Sequence, residues 1–291
     1  MKALLFYLLL PLLYCIAILP DFILYRISDC VFFIVYHILG YRKKIVRKNL
    51  SLSFPEKSFS EKRKIEKAFY KFLCDSLFET FEMLVFSKEN FSKHCALHPD
   101  AEKIFQRYYQ QNQSIVVVMG HYGNWEWGGN ALAIGCQQDT QIVYHPLSNP
   151  HFDQLMYKMR TRFGVKLIGM KETGKLVASV KKNLSALVLI ADQAPRVENA
   201  YWTTFLKQDT PVFRGPEKIC RKLNLPLVFI SVHRLRRGKY EVHAETLVEN
   251  PSEYAEGEIT EKHCRKLEED IHASPEIWLW SHKRWKHKRP V

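Results

Sequence analysis

Five short apolar runs follow one another from residue 114 onward, and the longer stretches between them have helical character. The runs are SIVVVM (114–119), QIVYH (141–145), VKLIGM (165–170), SALVLIA (185–191) and LPLVFISVH (225–233). Strands that are apolar on both faces and alternate with helices are typical of a sheet covered on both sides. The sequence therefore predicts an α/β fold, a single domain with a mostly buried central sheet flanked by helices. KYEVHAETL (239–247) is predicted as a further, more exposed strand.

The first half of the chain has a different pattern. From Ser60 the apolar residues follow helical periodicity, which predicts an amphipathic helix packed on the core. Its apolar face comprises Ile65, Phe69, Phe72, Leu73, Leu77, Phe81 and Leu84. No repeat, low-complexity tract or linker separates this part from the strands, so a second folded domain is not expected.

Composition restricts the partners and the compartment. Lys and Arg number 43 against 30 Asp and Glu, for a formal charge of +13, which favours nucleic acid, phospholipid headgroups or an acidic carrier protein without choosing among them. The seven cysteines are scattered and form no C-x-x-C pair. This spacing argues against a disulfide framework or a zinc ribbon and favours a reducing compartment.

The N-terminus, MKALLFYLLLPLLYCIAILP, has eighteen uncharged residues between Lys2 and Asp21. As a helix this stretch is about 27 Å long, close to the thickness of the hydrocarbon core. No small-x-small cleavage site follows it, so we expect an uncleaved membrane-anchoring helix over residues 1–22 rather than a secretory signal. A single folded domain then covers residues 23–291.

Two further segments combine apolar and basic residues. Residues 30–50 contain CVFFIVYHILGY followed by five cations, which predicts an interfacial helix with its cations on anionic headgroups. A buried core helix followed by a solvated turn is the alternative. The C-terminal SPEIWLWSHKRWKHKRPV suits a membrane interface, single-stranded nucleic acid, or a solvated basic terminus with Trp278 and Trp280 packed inside.

The stretch MGHYGNWEWGG (119–129) carries the strongest functional signal. It follows a predicted strand, and α/β sheets place their ligand sites at the carboxyl ends of strands. A helix beginning near Asn124 would hold Glu126 in its first turn. On one helix His121 and Glu126 would point about 140° apart, so they meet only if His121 lies in the preceding turn. A carboxylate on the far nitrogen would then make the imidazole a general base, whereas the alternative is a core histidine bonded to a carbonyl.

GHYGNWEW resembles the H-x4-D/E motif of glycerolipid acyltransferases, in the form found in bacterial late lipid A acyltransferases, the lauroyl and myristoyl transferases. Similar segments extend over nearly the whole chain. They are RKNLSLSFPEKS, YHPLSNPHFDQLMYKMRTRFGVKLI, ADQAPR, GPEKICRKLNLPLVF and PEIWLWSHKRWK. His145 in YHPL, where an arginine is common, and FLKQDTPVFRG depart from the family pattern. These departures bear on the acceptor and the acyl chain rather than on the reaction type.

The resemblance implies roles for particular residues. His121 is the catalytic base and Glu126 its partner. Arg160 and Asp192 contact substrate, with Arg162 as the alternative arginine because the spacing in this block varies among relatives. Asn124, inside the motif, is a further candidate for substrate binding.

The resemblance also implies a reaction. A fatty acyl group passes from an acyl carrier protein thioester to a hydroxyl of a lipid A precursor, on the cytoplasmic face of the bacterial inner membrane and in contact with phospholipids. G-x-S-x-G, P-loop, G-x-G-x-x-G and H-E-x-x-H motifs are absent from the sequence, and we expect no cofactor, no metal and no nucleic-acid partner. Two alternatives are the same chemistry on another glycolipid or amino-acid lipid, and a non-catalytic basic membrane or nucleic-acid adaptor.

Overall fold

The computed structural model describes residues 2–172, 180 and 183–290. A seven-stranded sheet forms its centre, in the order β1-β9-β8-β2-β5-β3-β4. The strands are β1 (Cys95–Leu97), β2 (Ile115–Met119), β3 (Asp139–Tyr144), β4 (Lys166–Gly169), β5 (Ser185–Ile190), β8 (Leu227–Arg236) and β9 (Lys239–Val248). Neighbouring strands are parallel except β8 and β9, which pair antiparallel. β6 (Ala200–Phe205) and β7 (Gln208–Phe213) form a separate antiparallel hairpin.

The predicted α/β class and each of the predicted strands are confirmed, with ends that shift by a few residues. β2 is buried at all five positions, as expected for a strand covered on both faces. Three strands were not predicted. β1 has only three residues, too few for a pattern, and β7 contains Pro211, a residue depleted in strands.

Helices cover both sides of the sheet. They are α1 (Lys2–Ala17), α2 (Asp21–Phe33), α3 (Lys43–Ser53), α4 (Phe59–Glu82), α5 (Lys88–Ser92), α6 (Pro99–Gln110), α7 (Trp125–Gly135), α8 (Pro150–Thr161), α9 (Gly215–Leu223) and α10 (Glu258–Ala273). The core between helices and sheet includes Phe105, Trp127, Val188, Phe229 and Ile259, all at most 2% exposed.

The N-terminal segment is broken into shorter helices. α1 ends at Ala17 because the residue before Pro20 is disfavoured in the helical region. Within the described residues, no one helix has both the length and the apolar composition needed to cross a bilayer. The segments Asp21–Ile38 and Lys43–Ser53 meet both criteria only as a pair, and they are bent by 85° relative to each other.

The predicted interfacial helix and basic cluster, residues 30–50, extend over several helical elements. They comprise the end of α2, a π-helical turn at Ile34–Ile38 and the start of α3. Gly40 has a φ of +59°, a conformation that favours glycine and interrupts the helix.

The long helix α4 has the predicted position but a different buried face. Ser58 and Glu61 form a capping box at its start. Phe69 and Phe72 are buried as expected, whereas Leu77 is 52% exposed. Four acidic residues are buried instead, namely Glu66, Asp75, Glu79 and Glu82. The partners of Asp75 and Glu79 lie in distant parts of the chain, so helical periodicity could not identify this face.

One of these acids joins the N-terminal helices to the sheet. Asp75 accepts hydrogen bonds from Ser28 of α2 at 2.6 Å, from Arg234 at 2.8 Å and from Arg237 at 2.6 Å. Arg237 also pairs with Asp29 at 2.9 Å. Helix α2 is therefore fixed to the β8–β9 hairpin by buried and half-buried ion pairs.

The C-terminal segment belongs to the folded domain. Trp278 and Trp280 are at most 2% exposed and pack edge to face, so these two residues are inside the protein, as one of the three alternatives expected. Arg284 is also buried, whereas Lys283, Lys286 and Lys288 are exposed. The Asn49 amide of α3 donates to the carbonyls of Trp280 and His282 at 2.9 and 3.0 Å, so α3 and the C-terminal segment are linked.

Candidate active site

His121 lies in the turn between β2 and α7. Its carbonyl accepts a hydrogen bond from the N–H of Leu279 at 3.2 Å, and the N–H of Gly123 donates to the carbonyl of Ile277 at 3.0 Å. Gly123 has a φ of +62°, and a Cβ there would lie 1.9 Å from the Val232 carbonyl oxygen. The turn therefore requires glycine and is held rigidly between β8 and the C-terminal segment.

Asn124 is the N-cap of α7. Its Oδ1 accepts from the N–H of Trp127 at 3.1 Å, and its Nδ2 donates to Glu79 Oε2 at 2.9 Å. The predicted start of the helix is confirmed. The predicted substrate contact is not supported, because Asn124 is 2% exposed and both polar atoms of its side chain bind inside the protein.

The imidazole of His121 pairs with Asp192, not with Glu126 as the sequence predicted. His121 Nδ1 lies 2.6 Å from Asp192 Oδ1. Asp192 Oδ2 accepts from the His121 N–H and from Trp278 Nε1, both at 2.8 Å. Burial opposes the charge of Asp192, but attraction to His121 and these hydrogen bonds outweigh it and lower the pKa of Asp192 to about 2.

This arrangement fixes the tautomer of the imidazole. An ionised carboxylate only accepts hydrogen bonds, so Nδ1 carries the hydrogen and Nε2 has the free electron pair. The Gln193 amide nitrogen lies 3.1 Å from Nε2, consistent with an N–H donated to that pair. Nε2 is therefore the basic atom. Asp192 lies behind His121 and does not line the cavity in front of it, which differs from its predicted role in substrate binding.

Glu126 binds Arg160 instead of His121. It lies in the first turn of α7, as predicted, and its two oxygens accept from Arg160 Nε and Nη2 at 2.8 and 2.6 Å. Burial alone would lower the pKa of Arg160, but the hydrogen bonds and attraction of Glu126 raise it. The facing helix α8 supplies a bidentate partner, so the carboxylate pairs across the cavity wall rather than back into the turn.

The two candidate arginines lie in different surroundings. Arg160 lines the same cavity as His121 and Glu126. Arg162 donates from Nε to the carbonyl of Phe86 at 3.1 Å and from Nη1 to that of Leu84 at 2.7 Å. Arg162 thus ties α8 to the segment after α4, and the structure does not support it as a substrate contact.

A cavity of about 650 Å³ opens in front of the imidazole, within the common range for small-molecule sites. Aliphatic and aromatic side chains form most of its wall, including Ile142, Val143, Leu147, Val165, Leu167, Met170, Leu189, Ile190, Phe213 and Ile219. His121, Glu126, Arg160 and Gln193 provide polar groups. The site thus combines an oriented base, an ion pair and a largely apolar chamber.

Two residues of the site were not identified from the sequence: Trp278, which binds Asp192, and Gln193. The role of Asp192 was also missed, although a signal for it existed. β2 and β5 are parallel neighbours with Met119 opposite Ile190, so His121 and Asp192 each follow their strand by two residues. Knowing that these two strands are adjacent would have brought the pair together.

Sequence similarity to known proteins identifies the family of this chain. The sequence profile of the family described as "Bacterial lipid A biosynthesis acyltransferase" matches residues 1–287. The lipid A biosynthesis lauroyltransferase of Escherichia coli (strain K12) is 25% identical over 282 residues, 94% of this chain and 89% of that protein. The palmitoleoyltransferase of the same organism is 24% identical over 254 residues, 86% of this chain and 80% of that protein. The family match spans nearly the whole chain, and we conclude that the protein belongs to the bacterial lipid A biosynthesis acyltransferases.

Proposed function

We propose that the protein transfers a fatty acyl chain from a thioester on acyl carrier protein to a hydroxyl of a lipid A precursor, with His121 as the general base. The observation that carries the proposal is the 2.6 Å contact between His121 Nδ1 and Asp192 at the mouth of the largely apolar cavity. Because Nδ1 is bound to Asp192, the electron pair of Nε2 is free to accept a proton. An acceptor hydroxyl that enters the cavity would take the place of the Gln193 amide at Nε2.

The proposed step is a direct acyl transfer. Nε2 removes the hydroxyl proton while the hydroxyl oxygen attacks the thioester carbonyl. The tetrahedral intermediate collapses, the C–S bond breaks, and the imidazolium returns the proton to the thiolate. Asp192 stabilises the imidazolium throughout because it is ionised and bonded to Nδ1–H. General base catalysis contributes about 10²- to 10⁴-fold, and positioning of the two substrates adds to it.

The cavity wall suits the remaining parts of the reaction. Its aliphatic side chains would receive the acyl tail. The start of α7 lies beside the imidazole, with the Trp125 ring 5.1 Å from that of His121, so the positive end of the helix dipole is close to the reacting groups. Arg160, held by Glu126, supplies a cation at the same wall. These groups would stabilise the negative charge that develops on the carbonyl oxygen.

Surface properties support a location at a membrane. Residues 7–41 expose a series of large apolar side chains, Tyr7, Leu8, Leu12, Tyr14, Ile18, Phe22, Phe33, Ile34, Ile38, Leu39 and Tyr41. So many exposed apolar side chains within 35 residues favour a membrane or protein interaction site. Exposed cations at Lys44, Lys48, Lys283 and Lys286 would add attraction to anionic lipid and to acidic donor and acceptor molecules.

The proposed reaction is tested by incubating the full-length protein in detergent with acyl carrier proteins of defined chain length and a purified lipid A precursor. Mass spectrometry should show one added acyl group on the lipid and release of free carrier thiol. Transfer from the thioester to a different lipid, with none to lipid A precursors, would replace the proposed acceptor. Hydrolysis or no reaction with every donor would contradict the proposal.

The Glu126–Arg160 pair gives a second prediction. Glu126→Gln and Arg160→Gln should each lower kcat/KM by about 10- to 100-fold, because either change leaves a partly buried polar or charged group without its partner. The double variant should be no worse than the poorer single variant, since side chains that act as one unit are not additive. Steady-state kinetics on the four proteins measures this coupling. Strictly additive losses would show that the two side chains act separately.

Membrane binding gives a third prediction. The double variant Leu8→Ser and Phe22→Ser should reduce co-sedimentation with anionic phospholipid vesicles by about tenfold or more, since each large apolar side chain contributes about 1.5–3 kcal/mol when buried. These side chains are 68% and 71% exposed, so the fold should remain. Tyr109→Ser on α6, where the ring is 42% exposed, is the matched control and should bind as the wild type does. Equal binding by all three proteins would exclude this surface.

A further inference from the structure

Three side chains with metal-binding groups meet on the far side of β8 from the catalytic cavity. One donor atom each from His98, Glu241 and His243 lies within 4.8 Å of the other two. His243 Nε2 is 2.9 Å from Glu241 Oε2, and the rings of His98 and His243 stack with centroids 4.5 Å apart. None of the three lines the cavity around His121.

Backbone pairing brings these residues together. β1 runs parallel to β9 with Leu97 opposite Val242, and the N–H of His98 donates to the Val242 carbonyl at 2.9 Å. His98 therefore sits beside β9 directly after β1. Glu241 and His243 are two residues apart on one strand, so their side chains lie on the same face of the sheet. The juxtaposition is built from regular, hydrogen-bonded structure rather than from mobile loops.

Two further residues, Asp100 and His233, lie next to these three side chains. His98 is the N-cap of α6: its Nδ1 accepts the N–H of Asp100 at 3.2 Å, and the Asp100 carboxylate lies 3.6 Å from the same nitrogen. On ligation through Nε2 the ring would carry its hydrogen on Nδ1 and turn it towards that carboxylate. The rings of His233 and His243 have centroids 4.5 Å apart and planes tilted by 55°, but His233 Nε2 is hydrogen-bonded to Ser231 Oγ at 2.7 Å, so His233 lies beside the donor set and is not part of it. All three donor residues are half-buried, so an ion from solvent could reach them.

We propose that His98, Glu241 and His243 bind one first-row divalent transition-metal ion, of which Zn²⁺ is the reference case. Two imidazoles and one carboxylate are a zinc ligand set, and water would complete four-coordination. Bonds of about 2.0–2.2 Å in a tetrahedron bring donors to about 3.4 Å from one another, so binding requires the donor atoms to close from within 4.8 Å and the stacked rings of His98 and His243 to rotate until both lone pairs meet at the ion. The ion joins α6 to β9 and stabilises the fold. It stands apart from the catalytic step and departs from the sequence-based expectation of no metal.

The test is isothermal titration of the full-length, chelator-treated protein with ZnCl₂, with MgCl₂ as a control cation. The wild type should bind one Zn²⁺ and no Mg²⁺, since Mg²⁺ requires oxygen ligands in an octahedron. Glu241→Gln and His243→Gln should each weaken Zn²⁺ binding at least tenfold. His98→Asn should do the same while it keeps a capping group on α6. His287→Gln, a change in the C-terminal segment, should have no effect.

Thermal unfolding provides the second measurement. Zn²⁺ at a saturating concentration should raise the Tm of the wild type and of His287→Gln, but not that of the three ligand variants, because binding to the folded state stabilises it. The ligand variants are compared first without metal to establish that they fold. The absence of saturable Zn²⁺ binding by the wild type, or undiminished binding by folded ligand variants, would overturn the proposal.

Discussion

His121→Ala is expected to lower the rate of acyl transfer by about 10²- to 10⁴-fold, the usual contribution of a general base. The described groups that neighbour His121 are poor substitutes, and the other imidazole on the cavity wall, that of His145, is hydrogen-bonded through Nδ1 to the Pro146 carbonyl at 2.9 Å. Glu126 is bound to Arg160 through both oxygens, Gln193 has no titratable group, and Asp192 is buried behind the missing ring. The rate is measured with purified protein, acyl carrier protein donor and detergent-dispersed acceptor.

The control for this change is His287→Ala, which alters a histidine outside the cavity and should retain wild-type turnover. Circular dichroism and thermal unfolding establish that the His121→Ala variant is folded. Near-wild-type transfer by a folded His121→Ala protein would exclude the proposed mechanism, whatever the behaviour of the other variants.

Asp192→Asn is expected to lower kcat by about 10⁴-fold with little change in KM, as loss of the carboxylate partner does in histidine-based acyl transfer. Two donors, the His121 N–H and Trp278 Nε1–H, converge on Oδ2. An asparagine would place its oxygen there and turn its amide N–H towards His121 Nδ1. The neutral ring would then carry its hydrogen on Nε2, where it cannot accept the hydroxyl proton. Asp209→Asn, at an exposed aspartate, is the matched control.

Asp192→Asn should also change how the free energy of unfolding depends on pH in acid. The pKa of Asp192 in the folded protein, about 2, is below the 3.8 of an unperturbed aspartate. The ionised side chain therefore stabilises the folded state by about 2 kcal/mol above pH 4, and this contribution is lost as the pH falls towards 2. Between pH 5 and 3 the wild type should lose about 1 kcal/mol more unfolding free energy than Asp192→Asn. Urea unfolding measures this difference, and parallel losses would show that Asp192 is not ionised by its contacts in the folded state.

Much of the fold follows from local chemistry. The strands β2, β5 and β8 are continuous apolar runs, and such runs can only be stable inside a sheet covered on both faces. The start of α7 is equally local, because Asn124 caps the helix two residues before Glu126. The hairpin of β6 and β7 and the short β1 could not be predicted. Their stability comes from pairing with distant residues rather than from a periodic pattern of their own.

The limits of local pattern are clearest in α4. Its spacing favoured a face that includes Leu77, yet the structure buries Glu79 and Asp75 and exposes Leu77. Tyr25, Asn124 and Tyr240 donate to the Glu79 carboxylate, so the burial of this acid is possible only because three distant segments provide hydrogen bonds. Amphipathic periodicity treats every acidic side chain as solvated and cannot anticipate such partners.

The sequence by itself determined the α/β class, the position of His121 at the end of a buried strand and the placement of Glu126 in the following helical turn, because these depend on residues within a few positions of one another. Only the tertiary structure decided the partners. The sequence assigned Glu126 to His121 and Asp192 to the substrate. Pairing of β2 with β5 instead brings Asp192 to the imidazole, and packing of α8 on α7 brings Arg160 to Glu126. Ion pairs between residues that are far apart in the sequence depend on which strands and helices are neighbours. The order of the strands is fixed by packing of the whole chain rather than by any local segment.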